Sequence, residues 1–149
     1  MKAATDGRPG DGADKASLSP PIPVPDADSE GYWAAARAGT LAICRCVECK
    51  TWMVPPLERC RYCNGRTAFE EVSGRGVIFS YIVVRHQAVP GHQVPYVVGI
   101  VELTEQAGLR LSGVIQADPA AVSIGAPVRA TMVDVGTSGF RAPEFLLVP

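Results

Sequence analysis

The sequence predicts a mainly β protein with a short N-terminal helix, a compact cysteine-rich segment and a small barrel of five strands. Three observations support this fold class. Five stretches rich in β-branched and aromatic residues follow one another in residues 70–149, separated by turn-like connectors. Five cysteines fall within the twenty residues Cys44–Cys63. An alanine-rich stretch that ends at a glycine precedes them, as is typical of a short helix.

Residues 1–29 predict a disordered leader. They hold five prolines, three glycines and few large apolar residues, so they cannot bury a core. The leader is either a solvated tail or an arm that binds a partner. No apolar run follows Lys2, which argues against a secretory signal, and no later stretch is long and apolar enough to cross a membrane. We therefore expect a cytoplasmic protein that makes no membrane contact.

Residues 30–40 predict one short helix, which Asp28 or Ser29 can cap. Tyr32 and Trp33 are neighbours in this helix, so both cannot lie on one narrow face. At least one of them must pack against something outside the helix. The two rings either cover the rest of the domain or anchor a protein interface, where both residue types are enriched.

Two C-x2-C pairs dominate residues 41–69. Each pair places two sulfurs on one side of a tight turn, and two such turns can complete a tetrahedron around a metal. A reducing cytosol keeps disulfides rare, and an odd number of cysteines cannot pair off completely. The spacing therefore predicts a structural four-thiolate zinc ribbon with one Zn²⁺ per chain, although iron in a rubredoxin-like centre would use the same ligands. The predicted ligands are Cys46, Cys49, Cys60 and Cys63.

The fifth thiol, Cys44, lies two residues before the first pair. In an extended strand it shares a face with Cys46. No base is adjacent to it in the sequence, so we interpret it as a small buried apolar residue rather than a nucleophile.

Basic residues surround the cysteines and leave a net charge of about +1 once four thiolates and one Zn²⁺ are counted. This surface is either simply solvated, or it meets the phosphates of a coenzyme or an acidic partner. The candidate phosphate ligands are Arg59, Arg61 and Arg66.

Residues 70–149 predict a small closed or partly open barrel of the OB type. Gly74 and Gly76 interrupt the first strand, as expected where a strongly curved strand bends or bulges. The longest connector can hold one helical turn at Asp118–Val122.

Charge and motifs limit the possible functions. Residues 31–149 hold 11 basic and 9 acidic residues, a net charge of +2 that does not suggest nucleic-acid binding. His86 and His92, six residues apart in a connector, are only a weak catalytic signal. No catalytic triad, phosphate-binding loop or dinucleotide fingerprint occurs. A single-stranded nucleic-acid module and an iron electron carrier remain as alternatives to an accessory role.

The ordered motifs together resemble the DUF35 family, described as acyl-CoA-associated OB-fold proteins with a rubredoxin-like zinc ribbon. The resemblance covers about residues 30–149. It rests on "YWAAARAGTLAICRC", the two cysteine pairs around a "PP" arm, "VSGRGVIFSYIVVRH", "VPYVVGIVEL" and "IGAPVRA". Where the family usually has glycine after each cysteine pair, this chain has Lys50 and Asn64.

The resemblance implies an accessory subunit that is not catalytic alone. Such a subunit works with a thiolase-like enzyme, either a thiolase, an acyltransferase or a retro-aldolase of steroid side-chain acyl-CoA. It stabilises that partner and contributes to its acyl-CoA site, in some cases beside a MaoC-type hydratase. Because thiolase-fold enzymes are usually dimers, we expect two copies of each chain. The residues expected to bind the partner are Tyr32, Trp33, His86, Pro95 and Tyr96.

Overall fold

The computed structural model describes residues 20–87 and 92–149. Residues 1–19 of the predicted leader lie outside this part. The described chain forms a three-stranded sheet and a closed barrel, with one α-helix beside them. The elements are α1 (Glu30–Arg37), β1 (Ala42–Cys46), β2 (Trp52–Met53), β3 (Thr67–Glu71), β4 (Arg75–Val84), β5 (Tyr96–Leu103), β6 (Arg110–Gln116), β7 (Pro127–Asp134) and β8 (Arg141–Leu147).

The helix α1 begins after a turn that Asp26 holds in place. The carboxylate of Asp26 accepts a hydrogen bond of 2.8 Å from the backbone N–H of Ser29, and its carbonyl accepts one of 2.9 Å from Glu30. The side chain of Ser29 also bonds this carboxylate, which lowers the pKa of Asp26. Ser29 occupies the N-cap position, as the sequence predicted, but its side chain makes no capping hydrogen bond within the helix, because its hydroxyl bonds the carboxylate of Asp26 instead.

The cysteine-rich segment folds as an antiparallel sheet in the order β2-β1-β3. Cys44, in the middle strand β1, lies opposite Met53 of β2 and Phe69 of β3. Four buried residues of this segment form an apolar cluster apart from the barrel core: Cys44, Cys46, Met53 and Cys60, with Phe69 packed against them.

The other five strands close into a barrel in the order β4-β5-β6-β8-β7. Neighbouring strands are antiparallel except β6 and β8, which run parallel where Ile115 lies opposite Phe145. Phe145 and Ile78 are fully buried at the centre. Leu41 and Ile43, from the first part of the chain, belong to the same core. The predicted fold class, a helix, a four-cysteine ribbon and an OB barrel, is confirmed.

The first barrel strand differs in detail from the prediction. Glu70 and Glu71, expected within it, belong to β3, and β4 begins only at Arg75. The register shift lies between Ile78 and Ser80, not at the glycines. Gly74 instead has a φ of +70°, which suits the turn between the two sheets. At Gly76 a Cβ would meet the Glu102 carbonyl at 2.5 Å, so this glycine permits close strand approach.

The connector between β6 and β7 carries the predicted helical turn. It is a 3₁₀ turn, Pro119–Ala121, in which the N–H of Ala120 donates a hydrogen bond to the carboxylate of Asp118. This turn and α1 are the helices of the described residues, and neither is long and apolar enough to cross a membrane.

The helix α1 lies at the junction of the ribbon and the barrel. Gly31 faces the ring of Phe69 so closely that a Cβ would approach it to 2.3 Å. Tyr32 packs against the barrel core, and Trp33 meets the ring of Phe140 edge to face at a centroid distance of 5.6 Å. The helix therefore uses both of its large aromatic residues in contacts within the chain.

Candidate metal centre and adjoining clefts

The two cysteine turns of the ribbon have the same backbone hydrogen bonds. In the first, the carbonyl of Cys46 accepts from the N–H of Lys50 at 3.1 Å. In the second, the carbonyl of Cys60 accepts from the N–H of Asn64 at 2.9 Å. The side chain of the arginine before each first cysteine, Arg45 or Arg59, donates a hydrogen bond to the carbonyl of Lys50 or Asn64, respectively. Each turn is therefore held by one backbone and one side-chain hydrogen bond.

Lys50 and Asn64 both adopt the left-handed conformation, with φ of 62° and 58°. Glycine is the residue that favours this conformation, and asparagine tolerates it better than lysine does. Lys50 is therefore a less favourable residue for the first turn than Asn64 is for the second. The structure gives the two turns the same geometry, so the backbone bonds hold Lys50 in a conformation that its side chain disfavours.

The four thiols converge on one point. Their Sγ atoms all lie within 4.8 Å of one another, with 3.4 Å between Cys46 and Cys63 and 3.6 Å between Cys49 and Cys60. A tetrahedron of sulfurs at the usual zinc–sulfur distance has edges of roughly 3.8 Å. The donor set, its spacing and its shape therefore fit one tetrahedral metal ion, and the four predicted ligands are brought together at this candidate metal site.

The thiols differ in their surroundings. Burial raises the pKa of the Cys46 thiol to about 12. The hydroxyl of Thr51 lies 3.3 Å from the sulfur of Cys49, and this hydrogen bond lowers the pKa of Cys49 to about 6. The backbone N–H of Cys49 points to the Cys46 sulfur at 3.4 Å. The exposed side of the site thus favours a thiolate, while the buried side needs a cation to hold its thiolate.

Cys44 is buried, as the sequence predicted for a small apolar residue. Its thiol lies 3.6 Å from the carbonyl of Leu57, which it contacts as a weak donor. It belongs to the apolar cluster under the metal site and is not one of the four converging thiols.

The three candidate phosphate ligands do not form one group. Arg59 and Arg66 lie opposite each other at a β-bridge. Arg61 instead lines a cleft of about 300 Å³ between the second cysteine turn and the β5–β6 connector, together with Arg110. All three are exposed. Of the three, Arg61 lines this cleft, and Arg59 and Arg66 do not.

Four of the five expected partner-binding residues line one cleft of about 750 Å³. It lies between α1, the end of the β4–β5 connector and strands β6 to β8. Tyr32 and Trp33 form one wall, and Pro95 and Tyr96 form another. His86 is exposed and does not line the cleft.

Residues that the sequence did not single out for these sites are Thr51, Glu48 and Gln106. Thr51 bonds the Cys49 sulfur, and Glu48 lies 3.5 Å from the Cys46 sulfur. Gln106 exchanges two hydrogen bonds with the backbone of Trp52, at 2.9 and 3.2 Å, and so joins the ribbon to the barrel. The position of Thr51 in the first cysteine turn was a usable signal, whereas Gln106 is 54 residues from its partner and gave none.

Comparisons with known domains divide the chain as the fold does. Residues 33–70 match the ChsH2 rubredoxin-like zinc ribbon domain, and residues 69–133 match the ChsH2 C-terminal OB-fold domain. A solved structure described as the "Ltp2-ChsH2(DUF35) aldolase" has a chain that superposes with a TM-score of 0.77. It is 33% identical and covers 85% of this chain and 98% of that one.

Three curated relatives are similar to parts of the chain. A probable enoyl-CoA hydratase alpha subunit of Thermomonospora curvata is 38% identical over 72% of this chain, which spans 34% of that subunit. The 3-oxo-4,17-pregnadiene-20-carboxyl-CoA hydratase alpha subunit of Mycobacterium tuberculosis is 52% identical over 42% of this chain, which spans 20% of it.

The third relative is comparable in extent to this chain. It is a DUF35 domain-containing scaffold protein of Methanocaldococcus jannaschii, 38% identical over 64% of this chain and 69% of its own length. This chain spans far less of the two hydratase subunits, so the likeness to them concerns one part of each. On the matched domains, the shared fold and this relative, the chain belongs to the DUF35 family.

Proposed function

We propose that the chain is a non-catalytic accessory subunit of a thiolase-like acyl-CoA enzyme, and that it stabilises that enzyme. The observation that carries this proposal is the likeness over 98% of a chain in a structure described as an aldolase of two named components. A relative named as a scaffold protein and two named as hydratase subunits support it. The steroid substrate of one relative makes a retro-aldolase of steroid side-chain acyl-CoA the foremost candidate for the partner's reaction.

The partner would contact the 750 Å³ cleft and the surface around α1. Tyr32 and Trp33 already pack within the chain, so their exposed edges, rather than the whole rings, are available to a partner. Pro95 is exposed beside them, and Tyr96 continues the same wall. His86 belongs to the β4–β5 connector, as Pro95 does, although it lies outside the cleft. A MaoC-type hydratase would join the complex as a further subunit.

The test of the accessory role is the mass of the mixed proteins. Light scattering of this chain with a purified thiolase-like subunit is expected to give a complex of two copies of each chain. Trp33→Ala should weaken that complex by about 2 kcal/mol if the residue is a hot spot. Phe79→Ala, the truncation of an exposed aromatic side chain outside the cleft lining, serves as the matched control. A mass that stays at the separate subunits with every thiolase-like or hydratase candidate contradicts the proposal.

The metal is proposed to be one structural Zn²⁺ held by the four converging cysteines. All four positions of a tetrahedron are filled by protein, which leaves no position for a catalytic water. Bound zinc supplies the net attraction that keeps four thiolates together, worth about 10–16 kcal/mol in comparable peptides. The apolar cluster below it is too small to hold the ribbon unaided.

Metal analysis of two cysteine variants tests this assignment. Cys60→Ser should lose the metal, since Cys60 is a buried member of the site. Cys44→Ser is the matched control, because Cys44 is equally buried but lies outside the four thiols, and it should keep one metal per chain. Iron in place of zinc would show as the colour and charge-transfer absorption of a ferric thiolate centre. A folded Cys60→Ser variant with a full metal complement would refute the ligand assignment.

Acyl-CoA is proposed to reach this subunit only through the complex. Arg61, with Arg110 across its cleft, is the foremost candidate for a coenzyme phosphate, and Arg59 and Arg66 lie outside that cleft. Arg61→Gln should raise the KM of the complex for acyl-CoA several-fold. Arg66→Gln, an equal charge change outside the cleft, should alter it less.

A further inference from the structure

An apolar cavity of about 300 Å³ opens where the helix, the ribbon and the barrel meet. Its lining includes Phe69 and Met53 of the ribbon and Leu111 of the barrel. Pro55 and Pro56, whose backbones are stiff, also line it. It shares Tyr32, Trp33 and Ser112 with the cleft of about 750 Å³ that is proposed to contact the partner, called here the partner-facing cleft.

A second depression, of about 260 Å³, adjoins the cavity. Phe69 is common to both, and the depression is further lined by Asp28 and Glu58. Both carboxylates are exposed, and neither belongs to an ion pair within residues 20–87 and 92–149. Within the described part of the chain, no lysine, arginine or histidine lines the cavity or the depression. The surface therefore combines an apolar cavity with two carboxylates that take part in no ion pair among the described residues.

We propose that this cavity is a docking site for one bulky apolar side chain of a partner protein, flanked on the partner by lysine or arginine. The volume suits a single leucine-sized or aromatic anchor rather than a longer segment. Interfaces concentrate their binding energy on such anchors in preformed pockets. The paired acidic residues select against partners with acidic flanks, because like charges at an interface are unfavourable.

The inference rests on the proposed accessory role, since it names a surface through which an enzyme subunit would be held. It adds a second contact region to the partner-facing cleft, on the other side of Tyr32 and Trp33. The occupant is a protein side chain rather than an acyl chain, because the acidic depression would repel the carboxylate or phosphate groups that accompany free acids and coenzyme thioesters.

The test uses blocked peptides and the full chain, with no enzyme present. Backbone amide shifts in NMR spectra are followed while Gly-Arg-Phe-Arg-Gly, Gly-Glu-Phe-Glu-Gly or decanoate is added. The basic peptide should shift residues that line the cavity, such as Ile43 and Met53, and bind about five-fold more tightly than the acidic one, as two weak surface charge contacts would give. That preference should shrink in about 0.5 M salt, where charges are strongly screened.

Three variants sharpen the result. Val54→Trp places bulk at the exposed mouth and should abolish the shifts while the metal content stays unchanged. Asp28→Asn combined with Glu58→Gln should remove the preference for the basic peptide. Glu71→Gln is the matched control, because Glu71 is exposed and lies outside both depressions.

Three outcomes overturn the proposal. The first is the absence of shifts at the lining residues up to about 10 mM peptide, where even weak binding is measurable. The second is equal affinity for the basic and acidic peptides. The third is a stronger response to decanoate, which would assign the cavity to an acyl chain. Because no enzyme takes part, each outcome is distinct from the mixing experiment that tests the accessory role.

Discussion

Lys50 and Asn64 show how the ribbon imposes one geometry on two different residues. Each is the fourth residue after the first cysteine of its pair, and each donates its N–H to that cysteine's carbonyl. The left-handed conformation costs a lysine roughly 1–2 kcal/mol, and asparagine less because its short side chain bonds locally. The metal site and its turn bonds must offset this cost, more so in the first turn than in the second.

Lys50→Gly is expected to raise the free energy of unfolding. The gain from relieving the left-handed conformation exceeds the entropy that glycine adds to the unfolded chain, which leaves about 0.5–1 kcal/mol. Asn64→Gly should change stability by less. Denaturant unfolding of the metal-bound protein measures both, with Lys50→Ala as the control that removes the side chain but keeps the strain. Destabilisation by Lys50→Gly would mean that the lysine side chain itself makes a stabilising contact.

The burial of Tyr32 makes the stability of the protein depend on pH. Burial raises the pKa of its hydroxyl from the ordinary value of 10 to about 12. The folded state therefore holds this proton when the unfolded state has released it, and stability should fall as the pH rises from about 10 to about 12. Tyr32→Phe should remove this part of the decrease. Unfolding curves across that range, compared with Tyr62→Phe at an exposed position, would detect it; identical pH slopes for the parent and Tyr32→Phe would contradict it.

Residues in local motifs were predictable, and residues joined across the chain were not. The convergence of the four cysteines and the burial of Cys44 follow from spacing within a few residues. The bond of the Ser29 hydroxyl to Asp26 was not predicted, because the turn before the helix is not visible as a pattern. The link between Gln106 and Trp52 depends on the packing of ribbon against barrel, which no local spacing encodes.

At the scale of elements, α1 is held by contacts more than by its own propensity. An isolated helix of eight residues is unstable in water. It lies against the ribbon through Gly31, against the barrel core through Tyr32, and against Phe140 through Trp33. Arg37 adds a cation over the Phe140 ring at 4.6 Å. The helix therefore packs against both the ribbon and the barrel and connects the two.

Gly31→Ala is expected to lower stability although alanine is the better helix former. The gain in helix propensity is about 1 kcal/mol, whereas forcing a methyl group against the Phe69 ring costs typically 1–3 kcal/mol. The net effect should be a loss of up to about 2 kcal/mol in denaturant unfolding. Combining it with Phe69→Leu should cost less than the sum of the two changes, since the ring is the obstacle. Simple additivity would show that the clash is relieved elsewhere.

The strands were predictable in number but less so in their ends. Alternation and β-branched residues mark the five barrel strands, and their number, their turn-like connectors and the family resemblance predicted a barrel of the OB type. The boundary between β3 and β4 was misplaced because Glu70 to Val84 is strand-like throughout except for two glycines. What divides it is a change of partner: β3 pairs with β1, and β4 pairs with β5 and β7.

At the scale of the whole molecule, the chain has two apolar cores of unequal size. The barrel core contains twelve buried apolar residues, including Leu41 and Ile43 from the ribbon side. The ribbon cluster has Met53 and Phe69 as its large members. Burying two such side chains stabilises by roughly 3–6 kcal/mol, whereas ordering each residue costs about 1–2 kcal/mol. We therefore expect the ribbon, but not the barrel, to depend on a bound metal for its stability.

Removing the metal is accordingly expected to unfold the ribbon and leave the barrel folded. Hydrogen exchange of the acid-stripped protein, returned to neutral pH with a chelator, should show rapid exchange in residues 42–71 and retained protection in residues 96–116. The barrel should lose some stability, because Leu41, Ile43 and the Gln106 bonds to Trp52 are given up. Gln106→Ala in the metal-bound protein separates these effects: it weakens the link while the ribbon stays folded. Simultaneous exchange of both regions after metal removal would show instead that ribbon and barrel form one cooperative unit, with the metal holding the entire chain.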